Sequence, residues 1–242
     1  MINLKKIIPY FIIFIVVVGL VFVGTKNNKK IVQSSGDIYP VIIIDAGHGG
    51  FDGGAVAADG TQEQYLNLDI ARKINEYLLK LGYETIMTRN DDDSIHDADA
   101  ETIRQKKVSD IHNRLSIIEK NPDSVFISVH QNFYSESKYS GAQVFYSPNN
   151  PNSEQLAANI QNSIVSSLQP TNTRQIKKSD SSIYLLYHSV TPSVMVECGF
   201  LSNKEETEKL KNDNYRLQMA EAICKGIINY LNSAENESAI SD

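Results

Sequence analysis

The 242-residue sequence has little cysteine: only Cys198 and Cys224 are present, too few for a disulfide-stapled scaffold. No C-x-x-C exists to hold a metal or exchange disulfides, so the pair reads as two buried free thiols. Basic charge is scarce too. Lys and Arg number 23 against 29 Asp and Glu, a net charge of −6, whereas a nucleic-acid binder would show a basic stripe. No G-x-x-x-x-G-K-[ST] occurs, and the glycines around His48 miss the dinucleotide fingerprint because Asp52 stands where its third Gly belongs. Nucleotide binding is thereby excluded. There is no G-x-S-x-G elbow, and Cys198 has an apolar flank, so neither a serine nor a cysteine triad is indicated. H-E-x-x-H is missing as well, so any metal would be held by residues distant in the chain. What is present, 41% hydrophobic and 21% charged residues, is the composition of a folded globular chain.

The charge is unevenly spread. Before Asp37 the only charges are Lys5, Lys6, Lys26, Lys29 and Lys30; without these five the chain carries 18 basic against 29 acidic residues, or −11. Between the lysines, Ile7 to Gly24 is an eighteen-residue run without a charge. At about 1.5 Å per residue it approaches the ~30 Å of a hydrocarbon layer. Lysines on both sides leave its orientation open. Val21–Thr25 offers no clear small-x-small cleavage site and no lipid-accepting Cys follows, so residues 7–24 read as an uncleaved transmembrane anchor rather than a signal peptide. Either way the acidic body works outside the cytoplasm, membrane-anchored or secreted. The organisation is then a short basic end (1–6), the membrane segment (7–24), a polar tether (25–40), one folded domain (41–232) and a polar tail (233–242).

Apolar runs and amphipathic stretches alternate through the body. Val41–Asp45, Tyr83–Thr88, Val125–Val129, Ala142–Tyr146, Ile183–Leu186 and Val194–Val196 read as strands. Tyr65–Leu81, with Leu66, Ile70, Ile74 and Leu78 at helical spacing, reads as a helix, as do Val108–Glu119, Glu154–Leu168 and Asn214–Leu231. This alternation predicts a single α/β domain: a mainly parallel twisted sheet of about six strands with helices on both faces.

In open sheets of this kind, functional groups collect beyond the carboxyl ends of the strands. Three such ends deliver His48, His130 and Glu197, and Glu63 precedes the first helix where the chain returns to that rim. Two histidines and a carboxylate form a common ligand set for catalytic zinc, and a second carboxylate would serve as general base. Residue types and spacing leave open which of Glu63 and Glu197 takes which role. Glycines flanking His48 allow a sharp turn and close approach of a bulky substrate. His188, just before the last strand, and Asn132, beside His130, are candidate substrate contacts; Ser128 and Asn132 are candidates to orient ligands. His96 and His112 read as solvated or structural.

The motifs VIIIDAGHGG (Val41–Gly50), GTQEQYLNL (Gly60–Leu68), ISVHQN (Ile127–Asn132) and PSVMVECGFLSN (Pro192–Asn203) occur in this order over nearly all of the body. Together they resemble the zinc-dependent N-acetylmuramoyl-L-alanine amidases of bacterial cell walls. The short chain, the apolar N-terminal run, the K-K-x-x-D-x-x-x-R stretch at Lys106–Arg114 and the lack of wall-binding repeats are most similar to the germination-specific, sporulation-type members. The resemblance implies that His48, Glu63 and His130 hold Zn²⁺ and that Glu197 is the catalytic carboxylate. It implies hydrolysis of the amide between N-acetylmuramic acid and L-alanine in peptidoglycan, in spore cortex, with a muramic acid deacetylase acting next toward the δ-lactam. Localisation would come from the membrane segment or an accessory protein. One departure is visible: Gln64 and Tyr65 stand where the family often has Lys-Asp. A zinc peptidase or carboxypeptidase on wall peptides, and a non-enzymatic membrane-tethered wall-binding protein, are the competing readings.

Overall fold

Continuous apolar runs bounded by turn residues form the centre of the sheet. The computed structural model describes residues 39–240, with side chains through Ser233. β1 (Ile42–Ala46) and most of β3 (Val125–Asn132) are buried along their length, as central strands covered on both faces are. Around them lie β2 (Thr85–Met87), β4 (Gln143–Tyr146), β5 (Lys177–Lys178) and β6 (Ser193–Phe200). The order is β2-β1-β3-β6-β4-β5, parallel at every pairing except the antiparallel β6–β4 pair. The domain is thus a single α/β unit on a mixed six-stranded sheet.

Side-chain alternation along each strand divides the core in two. Ile42 and Ile44 of β1 and Ile127 and Val129 of β3 pack against α1 (Glu63–Lys80), α3 (Asn152–Ser167) and α6 (Asp213–Ile240). Ile43 and Phe126 point the other way, onto α2 (Ile103–Glu119) and α4 (Tyr184–His188). Thr102 and Gln105 close a reciprocal capping box at the start of α2. α3 and α6 pack so closely that a Cβ at Gly226 would lie 2.5 Å from the Ile160 Cα. Gly226→Ala is therefore expected to destabilise by about 1–3 kcal/mol despite its gain in helix propensity. An unchanged thermal midpoint would show that the two helices can move apart.

Four segments differ from the sequence reading. Ile183–Leu186, expected as a strand, is helical: α4 spans Tyr184–His188, and an apolar run of four residues carries no period that separates the two states. β5, two exposed lysines on the sheet edge, has no sequence signal. α5 (Lys204–Lys211) buries only Glu206, Thr207 and Leu210; its signature is the Asn203 cap, which accepts from the Glu205 and Glu206 N–H groups. α6 continues past Leu231 to Ile240, through most of the stretch that reads as a polar tail. The apolar run 7–24 lies outside the described residues, as does all of the tether but its last two positions. Among the described residues no helix is long and apolar enough to cross a membrane.

Candidate metal centre

β1, β3 and β6 run parallel and end on one rim. His48 lies two residues beyond β1 with φ of 62°, a left-handed conformation uncommon for a residue with a side chain. Two buried arginines hold the backbone there. Arg89 donates to the carbonyls of Ala46 and Gly47, and Arg114 to those of Ala46 and His48. Glu63 opens α1, which the preceding loop carries back to the rim through Glu63 N–H to Ala55 O (2.9 Å) and Gln64 N–H to Gly53 O (3.2 Å). His130 lies near the end of β3, and a Cβ at Gly47 would sit 2.2 Å from its Nε2, so only glycine fits beside that ring.

The three side chains converge. Glu63 Oε2 is 3.3 Å from His48 Nε2, and its Oε1 is 3.0 Å from His130 Nδ1. One donor atom from each residue lies within 4.8 Å of the others. The carboxylate is further anchored by N–H donors: Ala55 N at 2.8 Å, Gln131 N at 3.0 Å and Asn67 Nδ2 at 3.2 Å. His48 donates from Nδ1 to Asp52 Oδ2 (2.9 Å), whose other oxygen accepts from Lys107 Nζ (3.0 Å). That bond turns Nε2 toward Glu63 as the nitrogen that would face a metal once it gives up its proton, the arrangement seen where a carboxylate orients a metal-binding histidine.

The electrostatics match a site that attracts a cation. Burial opposes charge on His48, but the hydrogen bonds to Asp52 and Glu63 outweigh it and raise its pKa to about 9. Burial alone would raise Glu63, yet the bonds to His130 and His48 hold it far below the usual carboxylate range. Two imidazoles and one ionised carboxylate, preheld by their neighbours, are a donor set that suits zinc.

Glu197 adjoins this centre by register: it pairs with His130 on one side and Gln143 of β4 on the other. Its Oε2 is buried without a hydrogen-bond partner among the described residues. Burial drives its pKa up; the positive field of His130 opposes this and the Glu63 charge adds to it, leaving the group at about 7.

A sequence profile described as N-acetylmuramoyl-L-alanine amidase matches residues 42–229. The chain belongs to that amidase family. It is 34% identical over 190 residues to the germination-specific N-acetylmuramoyl-L-alanine amidase of Bacillus subtilis strain 168, covering 78% of this chain and 79% of the relative. Among solved structures it is similar to the CwlD amidase of Clostridioides difficile in complex with the GerS lipoprotein (40% identity, TM-score 0.77, 80% of this chain and 99% of that one). It is also similar to the amidase AmiC2 of Nostoc punctiforme (29% identity, TM-score 0.69, 81% and 99%). The chain is an enzyme of this family, acting on the bacterial cell wall.

In this amidase domain the other singled-out residues separate clearly. Asn132 ends β3 after a register shift, its carbonyl accepting from Leu201 N–H at 2.8 Å, close to the centre. Ser128 is fully buried and donates to Asp45, a role in the scaffold. His188 is not brought to the centre. It is exposed at the end of α4, near the amino-terminal end of β6, with its ring 4.2 Å from that of Tyr184. The strand that follows His188 carries the chain away from it toward the rim. His112 also packs against Tyr184, at 5.6 Å, and His96 against Phe51, at 5.4 Å. Cys198 and Cys224 are buried free thiols. Sequence reasoning missed the Asp45–Arg114–Asp110 network and Arg89. The available signals were a charge inside an apolar strand, at Asp45, and an Asp110/Arg114 pair at helical spacing.

Proposed function

We propose that this amidase uses zinc to hydrolyse the amide between the lactyl group of N-acetylmuramic acid and L-alanine in spore-cortex peptidoglycan, toward muramic δ-lactam. The observation that carries the reading is the convergence of His48, Glu63 and His130, with Glu197 in register beside His130. His48, Glu63 and His130 would hold the zinc, which would supply Lewis-acid polarisation of the carbonyl and a lowered pKa for the attacking water. Asp52 keeps the His48 ring in one tautomer, and the three N–H donors keep the Glu63 carboxylate from turning. Glu197, whose Oε2 has no competing partner among the described residues, accepts the proton of the attacking water and returns it to the departing L-alanine nitrogen. Asn132 contacts the substrate near this site.

The cortex assignment is supported by the germination-specific relative, and an accessory partner by the lipoprotein in the similar CwlD complex. A muramic acid deacetylase acts on the product, and residues 7–24 tether the enzyme on the extracytoplasmic side, at the forespore. Digestion of cortex peptidoglycan, followed by mass spectrometry, tests the bond cleaved. Whole stem peptides with new L-alanine amino termini are expected; cuts only within the peptide would make the enzyme a peptidase. His130→Ala is expected to lose zinc and activity together. Full metal occupancy in that variant would exclude His130 as a ligand.

A further inference from the structure

The row of side chains through the centre extends beyond Glu197. Residues paired across neighbouring strands point their side chains to the same face, so His130, Glu197 and Gln143 line one face across β3, β6 and β4. Gln143 Oε1 accepts from an Nη of Arg174, in the loop before β5. Arg174 Cζ lies 4.9 Å from the centroid of the Phe200 ring, at the end of β6. The guanidinium therefore continues the row, and two strand spacings, about 10 Å, separate His130 from the Gln143 that holds it.

Among the described residues this cation has no counter-ion. Its charge acts on both Glu197 and Glu206, but no carboxylate of the described residues forms an ion pair with it. Its Nε is buried without a hydrogen-bond partner, and its one side-chain bond goes to a neutral amide. Glu206, the nearby acid, is already engaged by the N–H groups of Gly141 and Phe200. Arg174 lines a polar cavity of about 710 Å³ together with Lys138, Lys209 and Asn203 and the carboxylates Glu205 and Glu206. A half-buried guanidinium whose Nη1 makes no hydrogen bond among the described residues keeps a charged donor available to a carboxylate.

We propose that Arg174 binds a free carboxylate of the stem peptide within a few bonds of the scissile amide, and so selects acidic over amidated stems. The proposal rests on the amidase reading above. Wall stem peptides carry such a carboxylate on the residue after L-alanine, either free or as the amide. With the lactyl carbonyl at the centre, the peptide running along the row would bring that group toward Arg174. Phe200 and Gln143 keep the guanidinium in place, so little side-chain entropy remains to be lost when substrate binds.

The test compares the zinc-loaded wild type, Arg174→Ala and Arg174→Lys on two synthetic muropeptides that differ only in whether this carboxylate is free or amidated. Wild type is expected to favour the free acid by about tenfold or more in kcat/KM, as for a charge-assisted hydrogen bond. Arg174→Ala is expected to lose that preference through a higher KM on the acid, with zinc content unchanged, and Arg174→Lys to restore part of it. A wild type without preference overturns the proposal. So does a variant that retains the preference, or one whose kcat falls equally on both substrates at constant KM, the mark of a bracing role. Failure of wild type to release L-alanine termini from either substrate overturns the amidase reading itself, which is a different result from cleavage without discrimination.

Discussion

Glu197→Gln lowers turnover of peptidoglycan by about 10²–10⁴-fold while zinc content stays at the wild-type level; this is the expected outcome of removing a general base without disturbing its surroundings. The swap keeps shape and volume. Because Glu197 Oε2 makes no hydrogen bond among the described residues, no existing bond is broken on that side. What disappears is a group whose pKa, raised by burial to about 7, suits both taking a proton and giving it back at neutral pH. Turnover and metal content measured on the same preparation decide the matter. Retained activity removes Glu197 from the chemistry, and loss of zinc makes it a ligand instead.

Arg114→Ala is expected to cost about 3–5 kcal/mol at neutral pH, a large part of the 5–15 kcal/mol that typically separates folded from unfolded chains. Arg114 is almost fully buried and holds the carboxylates of Asp45 and Asp110 and the carbonyls of Ala46 and His48. Its loss strands the Asp45 charge inside the sheet. In the wild type, burial would raise Asp45, but Arg114 and the hydroxyls of Ser128 and Thr88 outweigh it and lower the pKa. A depressed carboxylate contributes stability above its unfolded pKa of about 4 and loses it as the pH falls through the folded value. Without Arg114 burial dominates and the sign reverses, so protonation of Asp45 in acid relieves the variant while it weakens the wild type. The gap between the two, measured by denaturant unfolding of the metal-free proteins, is therefore expected to shrink from pH 7 toward pH 4. A constant gap would show that Arg114 acts through the carbonyl bonds alone.

The two variants probe different layers of one region. Asp45 ends the apolar part of β1, and Arg114 reaches past it to the carbonyl of His48, whose positive φ needs external support. The scaffold that stabilises the sheet thus also sets the turn that presents a candidate ligand. Loss of Arg114 would loosen that turn even where the fold survives.

Sequence alone determined the fold class, the strands from Val41, Val125 and Val194, and the convergence of His48, His130 and Glu197 on one rim. It could do so because buried strands need continuous apolar runs and parallel strands end on the same side. The family, too, was legible from the order of its motifs. The short edge elements were not legible: two lysines in β5 and a five-residue α4 carry no period, and only their neighbours select strand or helix. For the two glutamates, residue types and spacing allowed either as ligand, and it was the family resemblance that implied Glu63 at the metal and Glu197 in catalysis. The fold adds their surroundings: Glu63 lies between two histidines, and Glu197 Oε2 is buried without a hydrogen-bond partner among the described residues. His188 showed the converse: next to a site strand in sequence, it lies at that strand's other end. The scarcity of cysteine agrees with a centre built from His and Glu, but only packing decides what surrounds it. Asp52, Arg89 and Arg114 reach it from three separate segments, and no local pattern records that approach.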